Sequence, residues 1–179
     1  MIEDRAGVFL AAVIDGLGHG YESNVAAERA VEVIKEHGDL GVDAILRHCH
    51  QELRVTRGAA VGILKVEPGG EGEFCGIGNI EVQSLNGAAP SIFCLAGIVG
   101  HNLRASKVQR VTMKPGDIYC LMSDGISSRG NLKACLPGEP EVVARRIVES
   151  WGKDHDDATA LVVGFGDTAL LADPAAAGR

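Results

Sequence analysis

Residues 7–20 read GVFLAAVIDGLGHG: an apolar run, an aspartate and a glycine-rich turn. The run 7–15 is short and punctuated by Gly16, Gly18 and Gly20, which predicts a buried strand entering a tight turn with an acid at its end. Downstream, residues 22–37 place Ala26, Ala30, Val33 and Ile34 on one face at helical spacing, and Gly38 follows where a helix C-terminus favours glycine. A second helix is expected over 42–55, with Ile45, Leu46 and Leu53 on one side.

From Ala59 the pattern changes to short β-prone runs at 59–66, 72–76, 80–85, 91–95, 107–113 and 117–122. Turn chemistry separates them, as at Pro68-Gly69-Gly70, Asn86-Gly87 and Pro115-Gly116-Asp117. Tight turns imply antiparallel neighbours. A helix over 139–151 and a last strand over 158–165 complete the set. Early and late helices around a block of antiparallel strands describe a layered α+β domain. We expect one domain over residues 1–166 and a flexible C-terminal tail over 167–179, where the sequence is Ala-rich and aperiodic.

Composition excludes several functions. With 24 acidic against 17 basic residues and a formal charge of -7, the chain lacks the clustered cations that nucleic-acid binding requires. Its longest apolar run, 8–14, is far short of the roughly 20 residues of a membrane-spanning helix. The start, MIED, is unlike a secretion signal, and a cytoplasmic location is expected. Five cysteines, none in a CxxC pair, suggest reduced thiols and neither a disulfide framework nor a zinc site.

Three acidic sites share one local pattern, an aspartate at a strand boundary beside glycine or a second aspartate: Asp15-Gly16, Asp124-Gly125 and Asp156-Asp157. Strand ends can converge, and several carboxylates meeting at one point repel unless a cation offsets them. A hard divalent cation suits such an oxygen set. Taken singly, each is equally an Asp-Gly turn or a solvated loop; their joint occurrence in this order favours metal binding.

The ordered motifs at 13–20 (VIDGLGHG), 57–60 (RGAA), 76–81 (GIGNIE), 97–100 (GIVG), 115–117 (PGD), 123–126 (SDGI) and 156–159 (DDAT) together resemble the SpoIIE-type bacterial branch of the protein phosphatase 2C family. Within it, the likeness is to the RsbX-like phosphatases of stress-sigma-factor and stressosome circuits. The resemblance implies an αββα sandwich of two antiparallel sheets flanked by helices, with two divalent cations, Mn2+ or Mg2+, at one edge. It implies that Asp15 bridges both metals, that the Gly16 carbonyl is a ligand of one, and that Asp124 and Asp156 hold the second; either member of the Asp156-Asp157 pair can face the ion.

The activity so implied is hydrolysis of phosphoserine or phosphothreonine by metal-activated hydroxide, with a phosphorylated STAS-domain regulatory protein as substrate and Asp15, Asp124 and His19 as catalytic residues. His19 stands two positions beyond the place where many relatives carry a histidine, and its role as proton donor competes with that of an ordinary loop residue. The upstream acidic strand of the family is expected either to be missing or to lie before a start placed too late, with Glu3 and Asp4 weak substitutes. Arg57 is either a phosphate contact or a salt-bridged arginine. Two alternatives accompany this reading: a non-catalytic partner-binding module of the same fold, and an ATP-binding fold of histidine-kinase type suggested by the 15–20 glycine pattern.

Overall fold

The computed structural model describes residues 1–87 and 92–166. The expected tail over 167–179 and position 91 of the expected strand 91–95 lie outside the described residues.

Five strands form one antiparallel sheet in the order β1-β2-β3-β4-β6: β1 (Ile2–Arg5), β2 (Val8–Gly16), β3 (Ala59–Val66), β4 (Glu71–Ile77) and β6 (Gln109–Thr112). Three more form a second antiparallel sheet in the order β5-β7-β8: β5 (Glu81–Ser84), β7 (Ile118–Met122) and β8 (Ala160–Gly164). Helices α1 (Tyr21–His37) and α2 (Val42–Glu52) precede β3, and α3 (Pro140–Trp151) precedes β8.

The period-2 alternation of a strand explains the layering. In β2, Leu10 and Ala12 point to a cluster with Ala30, Val33, Ile34, Ile45 and Leu46 of α1 and α2. Their neighbours Ala11 and Val13 point the other way, into a cluster with Phe74, Tyr119, Leu121 and Val163 that joins the two sheets. In β7, Tyr119 and Leu121 face that inter-sheet layer, while Ile118, Cys120 and Met122 face Val143 and Ile147 of α3. The order is therefore helices, sheet, sheet, helix, the expected αββα sandwich. Each fully buried Leu or Phe in these layers contributes about 1.5–3 kcal/mol relative to its exposed state.

Three expectations are corrected. An upstream strand exists: β1 pairs with β2 through Ile2↔Ala11 to Arg5↔Val8, and the Met1 ammonium donates to the Ala12 carbonyl at 2.9 Å. Its acids do not substitute at the site, because Glu3 and Asp4 lie opposite Leu10 and Phe9, toward the far end of β2 from Asp15. Glu3 instead pairs with Arg5 at 2.9 Å, and Asp4 accepts from the Gly7 amide at 2.8 Å.

The expected strand over 91–95 does not form at 92–94, and Leu95 makes only an isolated bridge to Ile77. The Gln109 side chain takes the place of a ladder there, accepting from the Phe93 amide at 3.1 Å and donating to its carbonyl at 2.7 Å. Finally, the glycine-rich turn follows a strand hairpin, with no helix before it among the described residues. The ATP-binding alternative, a different fold, gives way to the sandwich of two antiparallel sheets in which this turn lies.

Candidate active site

The end of β2 carries the first acid. Asp15 and Gly16 pair with Ala60 and Ala59 of β3, so the aspartate is anchored by two strands and leaves the sheet at its edge. Gly16 is required by a close approach: a Cβ there would collide with the Ser23 carbonyl oxygen in the first turn of α1. The Leu17 amide then donates to the Gly58 carbonyl at 2.9 Å, and Gly18 and Gly20 take positive φ (86° and 80°) to bring the chain into α1.

The other acids come from the second sheet. Asp124 follows β7 and Asp156-Asp157 precede β8, and these two loops are fastened together. Ser123, only 1% exposed, accepts from the Thr159 amide at 3.1 Å through its hydroxyl, while its own amide donates to the Thr159 carbonyl at 3.0 Å. The same hydroxyl lies 3.4 Å from the Asp157 carbonyl. The Lys153 amide donates to the Gly125 carbonyl at 2.8 Å, and its Nζ donates to the Asp124 carbonyl. Gly125 leaves no room for a side chain, since a Cβ would collide with the Asp157 carbonyl oxygen.

Asp15, Gly16, His19, Asp124, His155 and Asp156 line one cleft of about 610 Å3. Asp157 does not line it, although its charge is felt there. The Asp15 carboxyl is pushed from the ordinary 3.8 up to about 6, first by burial and then by the charges of Asp124, Asp156 and Asp157. Four carboxylates from two sheets thus act on one point. Among the described residues, no three His, Cys, Asp or Glu side chains close into a ready cation cage. The donors nevertheless fit a hard divalent cation in chemistry: all are oxygens, and their surplus negative charge at a half-buried Asp15 is what such an ion offsets.

The remaining residues singled out by sequence divide. His19 lies on the cleft wall. Arg57 forms an exposed ion pair with Glu22, next to Gly18. The loop at 96–98 and the pair Gly78-Asn79, which overlap the 97–100 and 76–81 motifs, also line the cleft. Elsewhere, two histidines of α2 serve packing: His48 stacks on His37 with ring centroids 3.9 Å apart, and His50 Nδ1 accepts from the Gly100 amide at 3.0 Å. Sequence reasoning missed His155, Ser123 and Lys153. Only Ser123 carries a signal in the sequence, as the first residue of the 123–126 motif.

No protein-family model matches the chain. The phosphoserine phosphatase RsbX of Bacillus subtilis (strain 168) is 24% identical over 121 residues, covering 66% of this chain and 61% of the relative. The chain therefore matches less than two thirds of that protein's length. Among solved structures, one chain from work on the bacterial stressosome, "a modular system that has been adapted to control secondary messenger signaling", is 31% identical with a TM-score of 0.83, covering 90% of this chain and 88% of its own. RsbX in complex with magnesium superposes with a TM-score of 0.75 at 19% identity, covering 90% and 82%. The serine/threonine phosphatase PstP of Mycobacterium tuberculosis does so with 0.72 at 18%, covering 93% and 92%. These last two are likenesses of fold.

Proposed function

Because the chain belongs to the bacterial protein phosphatase 2C family and is related to RsbX, we propose that it removes phosphate from phosphoserine or phosphothreonine on a regulatory protein, a STAS-domain component of a stressosome-type switch. The observation that carries this reading is the meeting of Asp15, Asp124 and Asp156 on one cleft, with the Asp15 carboxyl raised to about 6 by its neighbours. The catalytic unit in this reading is a single domain over residues 1–166.

Two divalent cations, manganese or magnesium, would be held by Asp15, the Gly16 carbonyl, Asp124 and Asp156, with Asp157 in reserve beside them. When bound, such ions supply a water activated at neutral pH and offset phosphoryl charge. The chain's own residues do the rest. Asp15 is fixed by its β2–β3 pairing, so its carboxylate has a defined place at the sheet edge. Asp124 and the Asp156 loop are held in register by Ser123 and Lys153. His19, on the cleft wall, is assigned as the group that hands a proton to the leaving serine oxygen. No nucleophile of the protein is required, in keeping with Cys49 and Cys120, whose thiols burial pushes up to about 12.

The test is phosphate release from a phosphoserine peptide and from an aryl phosphate in the presence of manganese. Activity should stop on addition of chelator and in Asp15→Asn. Turnover that survives either change overturns the proposal. An intact fold with no turnover on any phosphoprotein would select the non-catalytic, partner-binding reading.

A further inference from the structure

A second depression of about 340 Å3 adjoins the carboxylate cleft and shares Asp124 and Asn79 with it. Its character is different. Arg129 and Lys153 line it together with the hydroxyl-bearing Ser127 and Ser128, and Glu81 is its carboxylate besides Asp124. Among the described residues neither Arg129 nor Lys153 forms an ion pair, a state Arg129 shares with Arg54, Arg104, Arg110, Arg145 and Arg146 and not with Arg5, Arg29, Arg47 and Arg57; its place in this depression is what sets it apart. Lys153 is partly occupied by the Asp124 carbonyl, and Glu81 accepts from the Gln83 amide group at 2.8 Å. Arg129 is exposed, and among the described residues its five donors have no acceptor.

We propose that this depression receives an acidic side chain that flanks the phosphorylated residue of the protein substrate, with Arg129 as the specificity-determining contact. The inference rests on the phosphatase reading above and names what the site selects. With the Asp124 charge taken up at the cleft, two cations face one carboxylate, and two serine hydroxyls stand ready as further donors. The shared wall at Asp124 sets the distance: successive residues of an extended peptide advance about 3.3–3.6 Å, so the acid lies within a few residues of the phosphoserine. An aryl phosphate has no such flank and does not report on this depression.

Binding is measured with manganese present, by fluorescence anisotropy, using labelled peptides that carry a non-hydrolysable phosphonate in place of the phosphate. One peptide has Glu residues beside the phosphonate and the other has Gln. The acidic peptide should bind about 5-fold more tightly, and the preference should shrink as salt rises from about 50 mM to about 500 mM. Arg129→Glu should abolish or invert the preference, and Arg129→Lys should retain part of it. Arg145→Glu, on the exposed side of α3, makes the same change in net charge away from both depressions and should leave the preference in place.

Equal binding of the two peptides, or an equal loss in Arg145→Glu, overturns the proposal. Aryl phosphate turnover by the unaltered protein is scored separately. If it is absent while the preference persists, the phosphatase reading fails and the depression stands as part of a phosphopeptide-binding surface. If it is present without preference, only this inference falls.

Discussion

Replacing Asp15 with asparagine should make the cation-free protein more stable at neutral pH. The Asp15 carboxyl is raised from 3.8 to about 6, by burial first and by three like charges after it. The folded chain therefore holds this proton more tightly than the unfolded chain does. Stability falls as pH rises through the window from about 4 to about 6, and above that window the whole penalty is in place. A rise of roughly two pH units, at about 1.4 kcal/mol each, sets a ceiling of about 3 kcal/mol. Asp15 is only half-buried, and solvent screening brings the expected gain to about 1–1.5 kcal/mol. For a chain of this length that is about 2–6 °C in Tm.

Asparagine keeps the shape of the side chain and removes the charge, so the comparison isolates the electrostatic cost. Thermal unfolding of both proteins in chelator should show the variant ahead at about pH 7.5 and the advantage fading by about pH 4.5. With manganese added, the order should reverse, because a ligand that binds the folded state stabilises only the protein that can hold it. A variant no more stable than the parent at the higher pH in chelator, or an advantage independent of pH, would refute the reasoning.

Ser123→Ala removes the buried hydroxyl that accepts from the Thr159 amide, and should cost about 1–3 kcal/mol in urea unfolding while weakening manganese affinity. Gly125→Ala has no space against the Asp157 carbonyl; phosphate release should fall at least about 10-fold, because an error of about 1 Å in placing Asp124 is costly. Asp156→Asn should reduce turnover far more than Asp157→Asn, since only Asp156 lines the cleft, and steady-state kinetics at saturating manganese would separate them.

The legible parts of the molecule were those where one local rule decides the outcome. The strand Ala59–Val66 matches its expected bounds, because a short run that is apolar but for Lys65, set between glycine-bearing loops, admits little else. The three acidic sites were visible because Asp-Gly and Asp-Asp stand beside strongly apolar runs. What escaped depends on partners distant in sequence. β1 is four residues of alternating exposure with an acidic centre, and it is a strand only because β2 offers an edge to pair with. Residues 92–94 are apolar enough for a strand, yet the Gln109 side chain takes both backbone hydrogen bonds of Phe93 at their centre. His155 has no pattern of its own and reaches the cleft only because its loop is fastened to the one carrying Asp124.

The site is divided between the two sheets. Asp15 travels with the five-stranded sheet, whereas Asp124 and Asp156 travel together with the three-stranded one, locked by Ser123 and Lys153. The layer of Val13, Phe74 and Leu121 between the sheets thereby acts as a spacer that calibrates a gap near its edge. A methylene added or removed there would be read out as a change in cation affinity before it registered as a loss of fold, and selection on catalysis would reach residues that never touch the substrate.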